Sequence, residues 1–231
     1  KYVYSHASAL YQHHGFNIIG GVDVNIELKQ VFEKKYNKKF YNNTIHALQE
    51  NQPEVVVIAT STQTHKKILY DIIKYSQPKV ILCEKPLSYT LQEAYEMHEL
   101  CKNNKIELFV NYVRNSDPNV IEIHKKIISG EYVGPVKGVV WYSKGLFNNG
   151  SHFINLMEYW LGSVIKNNCI NKGRLIELDI EPDFSLIFKN GEVIFLSTKE
   201  ENFSYYSIEM IFENGRLNFG QNGESFFWTP I

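Results

Sequence analysis

Little in this sequence suits an oxidising compartment or a metal centre. It has three cysteines, Cys83, Cys101 and Cys169. They are far apart and odd in number. There is no C-x-x-C pair and no H-E-x-x-H. Neither a disulfide framework nor a zinc site is expected, and a reducing cytoplasm fits best. No apolar run approaches the roughly 18 residues of a membrane span, and no signal peptide is visible. Neither sign of charge is in excess: 24 Lys+Arg stand against 25 Asp+Glu, a formal net charge of −1. A nucleic-acid or membrane surface needs clustered Lys and Arg, so neither partner is expected. The densest basic stretch, Lys34-Lys35 with Lys38-Lys39, reads as the solvated end of a helix. Internal repeats, low-complexity linkers and a G-x-G-x-x-G fingerprint are absent as well.

What is present is an ordinary globular composition, 44% hydrophobic and 21% charged over 231 residues. At about 150 residues per domain this allows one large domain or two small ones. The first half alternates strands with amphipathic helices. Asn17–Val22, Glu54–Ala59, Lys79–Leu82 and Glu107–Val110 read as strands. The continuous apolar runs among them suit a parallel sheet covered on both faces. Ser5–His14, Glu27–Tyr36, Thr44–Glu50, Thr64–Tyr75 and Leu91–Asn103 have helical spacing. Thr90 with Glu93 three positions on predicts a capping box for the last of these. The rhythm predicts a Rossmann-type, doubly wound α/β domain over residues 1–113.

After residue 113 the style changes. Helices are predicted at Pro118–Ser129 and His152–Leu161. Strands are predicted at Val136–Tyr142, Asp183–Phe188, Glu192–Ser197, Ser204–Phe212 and Arg216–Phe219. Asn190-Gly191 and Asn214-Gly215 predict type I′ hairpin turns. Residues 114–231 are therefore expected to form an α+β domain with an open, mainly antiparallel sheet.

The α/β domain is expected to lack its beginning. A dinucleotide fold opens with a strand and a glycine fingerprint, and an acidic residue follows about 20 residues later. Asp23 ends the first visible strand, and counting back from it puts the fingerprint before Lys1. Gly20-Gly21 is no substitute, because it lies inside that strand. Asp23 is a candidate for the ribose hydroxyls of a dinucleotide, the alternative being a plain turn residue. No Arg follows in Val24–Leu28 to receive a 2′-phosphate, which favours NAD over NADP.

Ligands of open α/β sheets lie beyond the carboxyl ends of the strands. Thr60, after the second apolar run, is therefore placed to touch a cofactor. His65, opening the next helix, reads alone as a packed or capping histidine. Glu84-Lys85-Pro86 closes the following run. A Glu-Lys pair directly after a buried strand faces a cleft or a ligand, or else forms a solvated loop. Lysine suits a closed site, because its charge can hold a developing alkoxide.

With these motifs in order, the chain resembles the Gfo/Idh/MocA oxidoreductases, the group of glucose–fructose oxidoreductase and inositol dehydrogenase. The matching elements are Ala59-Thr60 with His65, Glu84-Lys85-Pro86, Asn111-Tyr112 with Arg114, and Gly150-x-His152 in a helix ending Trp160-Leu161-Gly162. No one of them is specific; their order and spacing are. The resemblance implies that Lys85 sits at the nicotinamide and orients the substrate hydroxyl. It implies that His152 is the general base, a role that suits an imidazole near neutral pH. Thr60, Glu84 and Asn111 would line the nicotinamide ribose, with Asp23 on the adenosine side. Arg114 would contact substrate or cofactor, a structural ion pair being the alternative.

Two positions depart from the family pattern. Asn148 stands four residues before the histidine and Asn155 three residues after it, where many members carry Asp. Asn hydrogen-bonds a hydroxyl, and so Asn148 stays a substrate-binding candidate, but it cannot take a proton. Family members also usually continue past the point where Ile231 ends this chain.

The expectation is a cytoplasmic, NAD-dependent dehydrogenase. It would act on a secondary hydroxyl or keto group of a sugar, nucleotide-sugar or polyol, and associate as a homodimer or homotetramer through its C-terminal sheet. A regulatory homologue that binds NAD without turnover, and an NAD-dependent glycoside hydrolase of the same family, remain open. NADH formation from sugars separates the dehydrogenase from both.

Overall fold

The computed structural model describes residues 5–202, 206–220 and 225–231. The chain divides into two compact units, Lys1–Asn111 and Tyr112–Ile231.

In the first unit, α1 (His6–Gln12) is capped by Ser5, whose hydroxyl accepts from the Ser8 N–H. Strand β1 (Gly20–Val22) pairs in parallel with β2 (Lys39–Tyr41), and α2 (Leu28–Tyr36) connects them. The first strand is thus half as long as the sequence predicts, and β2 was not expected. Lys38-Lys39 is not a helix end. The helix stops at Asn37, which is left-handed at φ 51°, and Lys39 opens a strand that buries Phe40 and Tyr41. A three-residue strand is too short to carry a readable alternation.

Helix α3 (Thr44–Asn51) leads to a separate parallel sheet, β3 (Val55–Ile58), β4 (Val80–Glu84) and β5 (Glu107–Asn111), ordered β3-β4-β5. The crossovers contain α4 (Thr62–Tyr75) and α5 (Leu91–Asn103). Ile58, Leu69, Ile72, Ile81, Cys83 and Met97 meet in the core. Burial on both faces holds for the central β4 but fails at β5, where Phe109 is 54% exposed. In this sheet β5 is an edge strand with a single neighbour. The capping box of α5 closes through a third residue. Thr90 Oγ1 accepts from the Glu93 N–H at 3.2 Å, while the Glu93 carboxylate takes the Ser88 hydroxyl at 2.7 Å. That hydroxyl oxygen accepts the Thr90 N–H at 3.1 Å.

The second unit opens with a 3₁₀ turn, Val113–Ser116, and α6 (Pro118–Ile128), capped by Asp117 with Pro118 in its first turn. Strand β6 (Val136–Tyr142) precedes α7 (Ser151–Leu161). Then come β7 (Val164–Asn171), β8 (Leu175–Ile176), β9 (Asp179–Ile180), β10 (Asp183–Phe188), β11 (Gly191–Ser197), β12 (Ser207–Phe212), β13 (Gly215–Gly220) and β14 (Ser225–Pro230). Ser204 and Tyr205, the expected start of one strand, lie outside the described residues. Strands β8 and β9 form a small ladder of their own. The others build one sheet in the order β14-β13-β12-β6-β11-β10-β7, antiparallel except at β6–β11. Its inner face packs Val140, Phe195, Met210 and Leu217 against Phe153, Leu156, Met157 and Trp160 of α7. The Trp160 indole N–H donates to the Val120 carbonyl of α6 at 3.0 Å.

Both Asn-Gly pairs lie at hairpins, but neither forms the predicted turn. The two-residue loops are Lys189-Asn190 and Glu213-Asn214, and none of the residues in question has positive φ. Each glycine opens a strand instead and answers a close approach. A Cβ on Gly191 would lie 2.6 Å from the Val136 carbonyl, and one on Gly215 would lie 2.3 Å from the Trp228 ring. The Asn214 amide fastens the residue 131–133 turn, accepting from Val133 N–H and donating to the Glu131 carbonyl. Among the described residues no helix is long and apolar enough to cross a membrane.

Candidate functional site

The first unit brings part of the expected cofactor set together through strand register alone. Because β3, β4 and β5 are parallel, Thr60, Glu84-Lys85 and Asn111 all leave the sheet at its carboxyl end. Glu84 stands opposite Asn111 in the ladder, and the Asn111 amide donates to Glu84 Oε1 at 2.8 Å. His6 of α1 reaches the same oxygen at 2.6 Å, and the Lys85 N–H donates to Oε2 at 3.3 Å. The Lys85-Pro86 peptide is cis, and Lys85 is half-buried. His65 is buried, with its ring nitrogens 3.0 Å from the Thr60 carbonyl and 3.2 Å from that of Leu87. It ties the exit of β3 to the segment after β4, a packed positioning role. Thr60 is exposed, and its hydroxyl accepts from Thr64 at 2.8 Å.

Burial opposes the charge on Glu84, but the donors from Asn111, His6 and the Lys85 backbone outweigh it and hold the carboxyl below the ordinary glutamate range. The contribution of these bonds is complete above the usual value near 4.5 and is lost as pH falls through the depressed folded value. Carboxyl carbon-13 shifts should therefore place the Glu84 midpoint below 4.5, and Asn111→Ala should raise it. A midpoint that Asn111→Ala leaves unchanged would dismiss the amide as its main support.

Asp23 is exposed at the end of β1. Its N–H donates to the Tyr41 carbonyl at 3.1 Å, and its Oδ1 accepts from Asn25 N–H at 2.9 Å. The carboxylate thus shapes its own turn while remaining open to solvent.

In the second unit, His152 lies buried in the first turn of α7. The Tyr112 ring meets it edge-on, with centroids 5.7 Å apart. Burial pushes the Tyr112 phenol up, against a hydrogen bond with Ser151, so the phenol stays protonated at neutral pH. The Arg114 guanidinium lies over Tyr206 and Phe153, 4.6 and 5.2 Å from their centroids. Asn155 Oδ1 accepts from the Asn115 amide at 2.7 Å.

Two carboxylates not singled out in the sequence, Asp179 and Glu181, hold the segment that leads to His152. A π-helical turn, Leu146–Gly150, runs directly into α7. Asp179 of β9 accepts the N–H groups of Phe147 and Asn148, each at 2.9 Å. Gly145 before the turn has φ 82°, and a Cβ there would collide with the Asp179 carboxylate at 2.1 Å. The Gly145 N–H donates to buried Glu181 at 3.3 Å. Arg174 binds Glu181 at 2.7 Å and grips Glu201 with two nitrogens, holding the Glu201 carboxyl down at about 2. Asp183 takes the Ser197 N–H and hydroxyl. Asp179, Glu181 and Asp183 alternate in the sequence, but β9 ends at Ile180 and β10 begins at Asp183, so strand alternation does not carry across them and gave no usable signal. Among the described residues, no group of three or more His, Cys, Asp or Glu side chains could hold a metal ion.

Comparison with known proteins gives consistent results. Residues 1–112 match the family described as "Oxidoreductase family, NAD-binding Rossmann fold". The chain is 27% identical to the myo-inositol 2-dehydrogenase of Thermotoga maritima over 103 residues, 45% of this chain and 30% of that protein. It is 28% identical to the scyllo-inositol 2-dehydrogenase (NAD(+)) of Bacillus subtilis over 152 residues, 59% of this chain and 44% of that protein. These matches thus span less than half the length of either relative. Among solved structures, the WlbA dehydrogenase from Bordetella pertussis in complex with NADH and UDP-GlcNAcA superposes with a TM-score of 0.80. That superposition covers 97% of this chain and 73% of the other at 18% identity, a likeness of fold.

Proposed function

We propose, from the premise that this chain belongs to the Gfo/Idh/MocA oxidoreductases, that it serves a cytoplasmic, NAD-dependent dehydrogenase of a secondary hydroxyl on a sugar, nucleotide-sugar or polyol. The observation that carries the reading is the strand-end layer of Glu84 and Asn111, with Lys85 next in the chain. The donor set fits a dinucleotide. Glu84 and Asn111 offer a carboxylate and an amide at the carboxyl end of a parallel sheet, where a ribose is recognised. Asp23 offers an exposed carboxylate at the end of β1. NAD, when bound, accepts the hydride.

The chain's own residues supply the rest. Lys85 orients the reacting hydroxyl and favours its developing negative charge. His152 takes the hydroxyl proton. Tyr112, neutral and packed against the His152 ring, fixes the plane of that ring. Thr60 lines the cofactor beside Glu84, and Asn148 hydrogen-bonds substrate without taking a proton. The likeness to the inositol dehydrogenases named above supports a substrate among polyols and sugars.

Asp23 gives the first test. Its charge repels a 2′-phosphate and its oxygens accept ribose hydroxyls, so the full-length protein should bind NAD more tightly than NADP. Asp23→Ala should weaken NAD binding by about tenfold, the scale of one charge-assisted hydrogen bond, and narrow the gap. Paired titrations decide it, and a wild type that prefers NADP would reverse the assignment. NADH formation with inositols and sugars tests turnover. Tight NAD binding with no NADH from any of them would favour the regulatory homologue.

A further inference from the structure

We propose that Arg114 binds an anionic group of the substrate, a carboxylate or phosphate carried by the sugar or polyol. The inference rests on the dehydrogenase reading above and narrows its substrate class. It starts from how sparingly the chain uses arginine: three arginines stand beside 21 lysines. Two of the three are committed to carboxylates, Arg174 to Glu181 and Glu201, and Arg216 to Glu209. For Arg114, among the described residues, no carboxylate lies within ion-pair distance. Its one hydrogen bond there is from Nη1 to the Tyr206 hydroxyl at 3.3 Å.

A guanidinium carries five N–H donors in a planar fork. Over the rings of Tyr206 and Phe153 its charge is stabilised, yet ring faces take none of the in-plane N–H donors, which stay open to solvent. Arg114 is also only partly exposed, and a partly desolvated guanidinium with open donors binds an anion more strongly than a fully hydrated one does. The fork matches two oxygens of a carboxylate or phosphate, which a lysine ammonium does not. The ion-pair alternative left open by the sequence is thus not met by any described residue.

Position adds a second argument. Tyr112 packs on His152 and, two residues on, Arg114 packs on Phe153, the next residue of α7. One short segment therefore supplies both the aromatic neighbour of the proposed base and a cation packed on the next residue of α7. A hydroxyl presented to His152 belongs to a molecule whose anionic substituent Arg114 would select.

The test is calorimetric titration of the NAD-saturated, full-length protein with D-glucuronate, D-glucose 6-phosphate, D-glucose and myo-inositol. Wild type, Arg114→Lys and Arg114→Met are compared, with folding checked by near-UV circular dichroism. One of the two anionic probes should bind at least about tenfold more tightly than either neutral one, and which of them does so names the group. Arg114→Met should collapse the gap to about twofold or less, with Arg114→Lys between. Neutral probes binding as well as anionic ones, no measurable anion binding, or a gap that survives in Arg114→Met would each overturn the inference. NADH recorded in the same mixtures separates the two readings. NADH from a neutral polyol without an anion preference sinks the Arg114 inference and leaves the dehydrogenase standing. An Arg114-dependent anion gap with no NADH from any probe does the reverse.

Discussion

His152→Ala should lower turnover by about 10²-fold or more, the usual scale for removing a general acid–base, and leave NAD affinity unchanged. The two halves of this expectation have separate grounds. His152 opens α7 in the second unit, whereas Asp23, Thr60, Glu84 and Asn111 all belong to the first. Removing the imidazole therefore removes no group assigned to the cofactor. The ring is held in place, buried in the first helical turn with the Tyr112 ring edge-on against it. Truncation at a 9% exposed position deletes volume as well as a base, so His152→Gln is the companion, keeping bulk and hydrogen bonding but not the proton affinity. Both variants should retain NADH fluorescence titrations like the wild type. Both should also lose the lower limb of the pH–rate profile that an imidazole base gives. If turnover survives in both, the base is another group, and Lys85→Ala becomes the next variant to measure.

The elements that can be read from the sequence are those whose burial is one-sided and long enough to repeat. Helix α5 and strands β6 and β10 fall where expected, because each shows several turns or pleats of regular apolar spacing. Strand β7 does not. It is an edge strand with seven of its eight residues exposed, so backbone pairing to β10 defines it and hydrophobic pattern cannot. The Asn-Gly pairs were read correctly as hairpins and wrongly as turn geometry, since Val136 and Trp228, distant in sequence, are what exclude a side chain at Gly191 and Gly215.

The candidate site divides in the same way. Glu84 is legible because it ends a buried strand, Asn111 entered through the resemblance, and parallel register sets the two opposite each other. Asp179 was not legible, because its role depends on β9 lying beside the turn before α7, a contact made across 31 residues. It also gives a physical reason for the amide at Asn148. The Asn148 N–H already donates to the Asp179 carboxylate, and a second carboxylate in that place would repel the first. Asn148→Asp is therefore not a simple restoration of the family pattern.

Asp179→Ala should lower kcat by about 10- to 100-fold while changing KM far less. The carboxylate does not act on substrate in this reading; it is a positioning residue, and it works through three N–H groups, those of Phe147, Asn148 and its own neighbour Ile180. Without it the first two lose their acceptor, and the π-helical turn Leu146–Gly150 is released at the point where it enters α7. His152 stands two residues beyond that turn. A displacement of about 1 Å in a catalytic group is enough for a 10²-fold loss, whereas substrate binding draws on contacts spread more widely. Asp179→Asn separates positioning from plain loss of fold. Its carbonyl oxygen keeps one of the two acceptors, but its amide would point N–H at N–H on the other, so kcat should fall between wild type and Asp179→Ala. Glu181, which takes the Gly145 N–H and is itself fixed by Arg174, keeps the start of the turn in place in both variants. Kinetics read beside circular dichroism and NAD titration decide the matter. A kcat unchanged in Asp179→Ala would mean that the turn holds His152 without the carboxylate. A parallel collapse of kcat, NAD binding and dichroism would mean that Asp179 supports the fold as a whole.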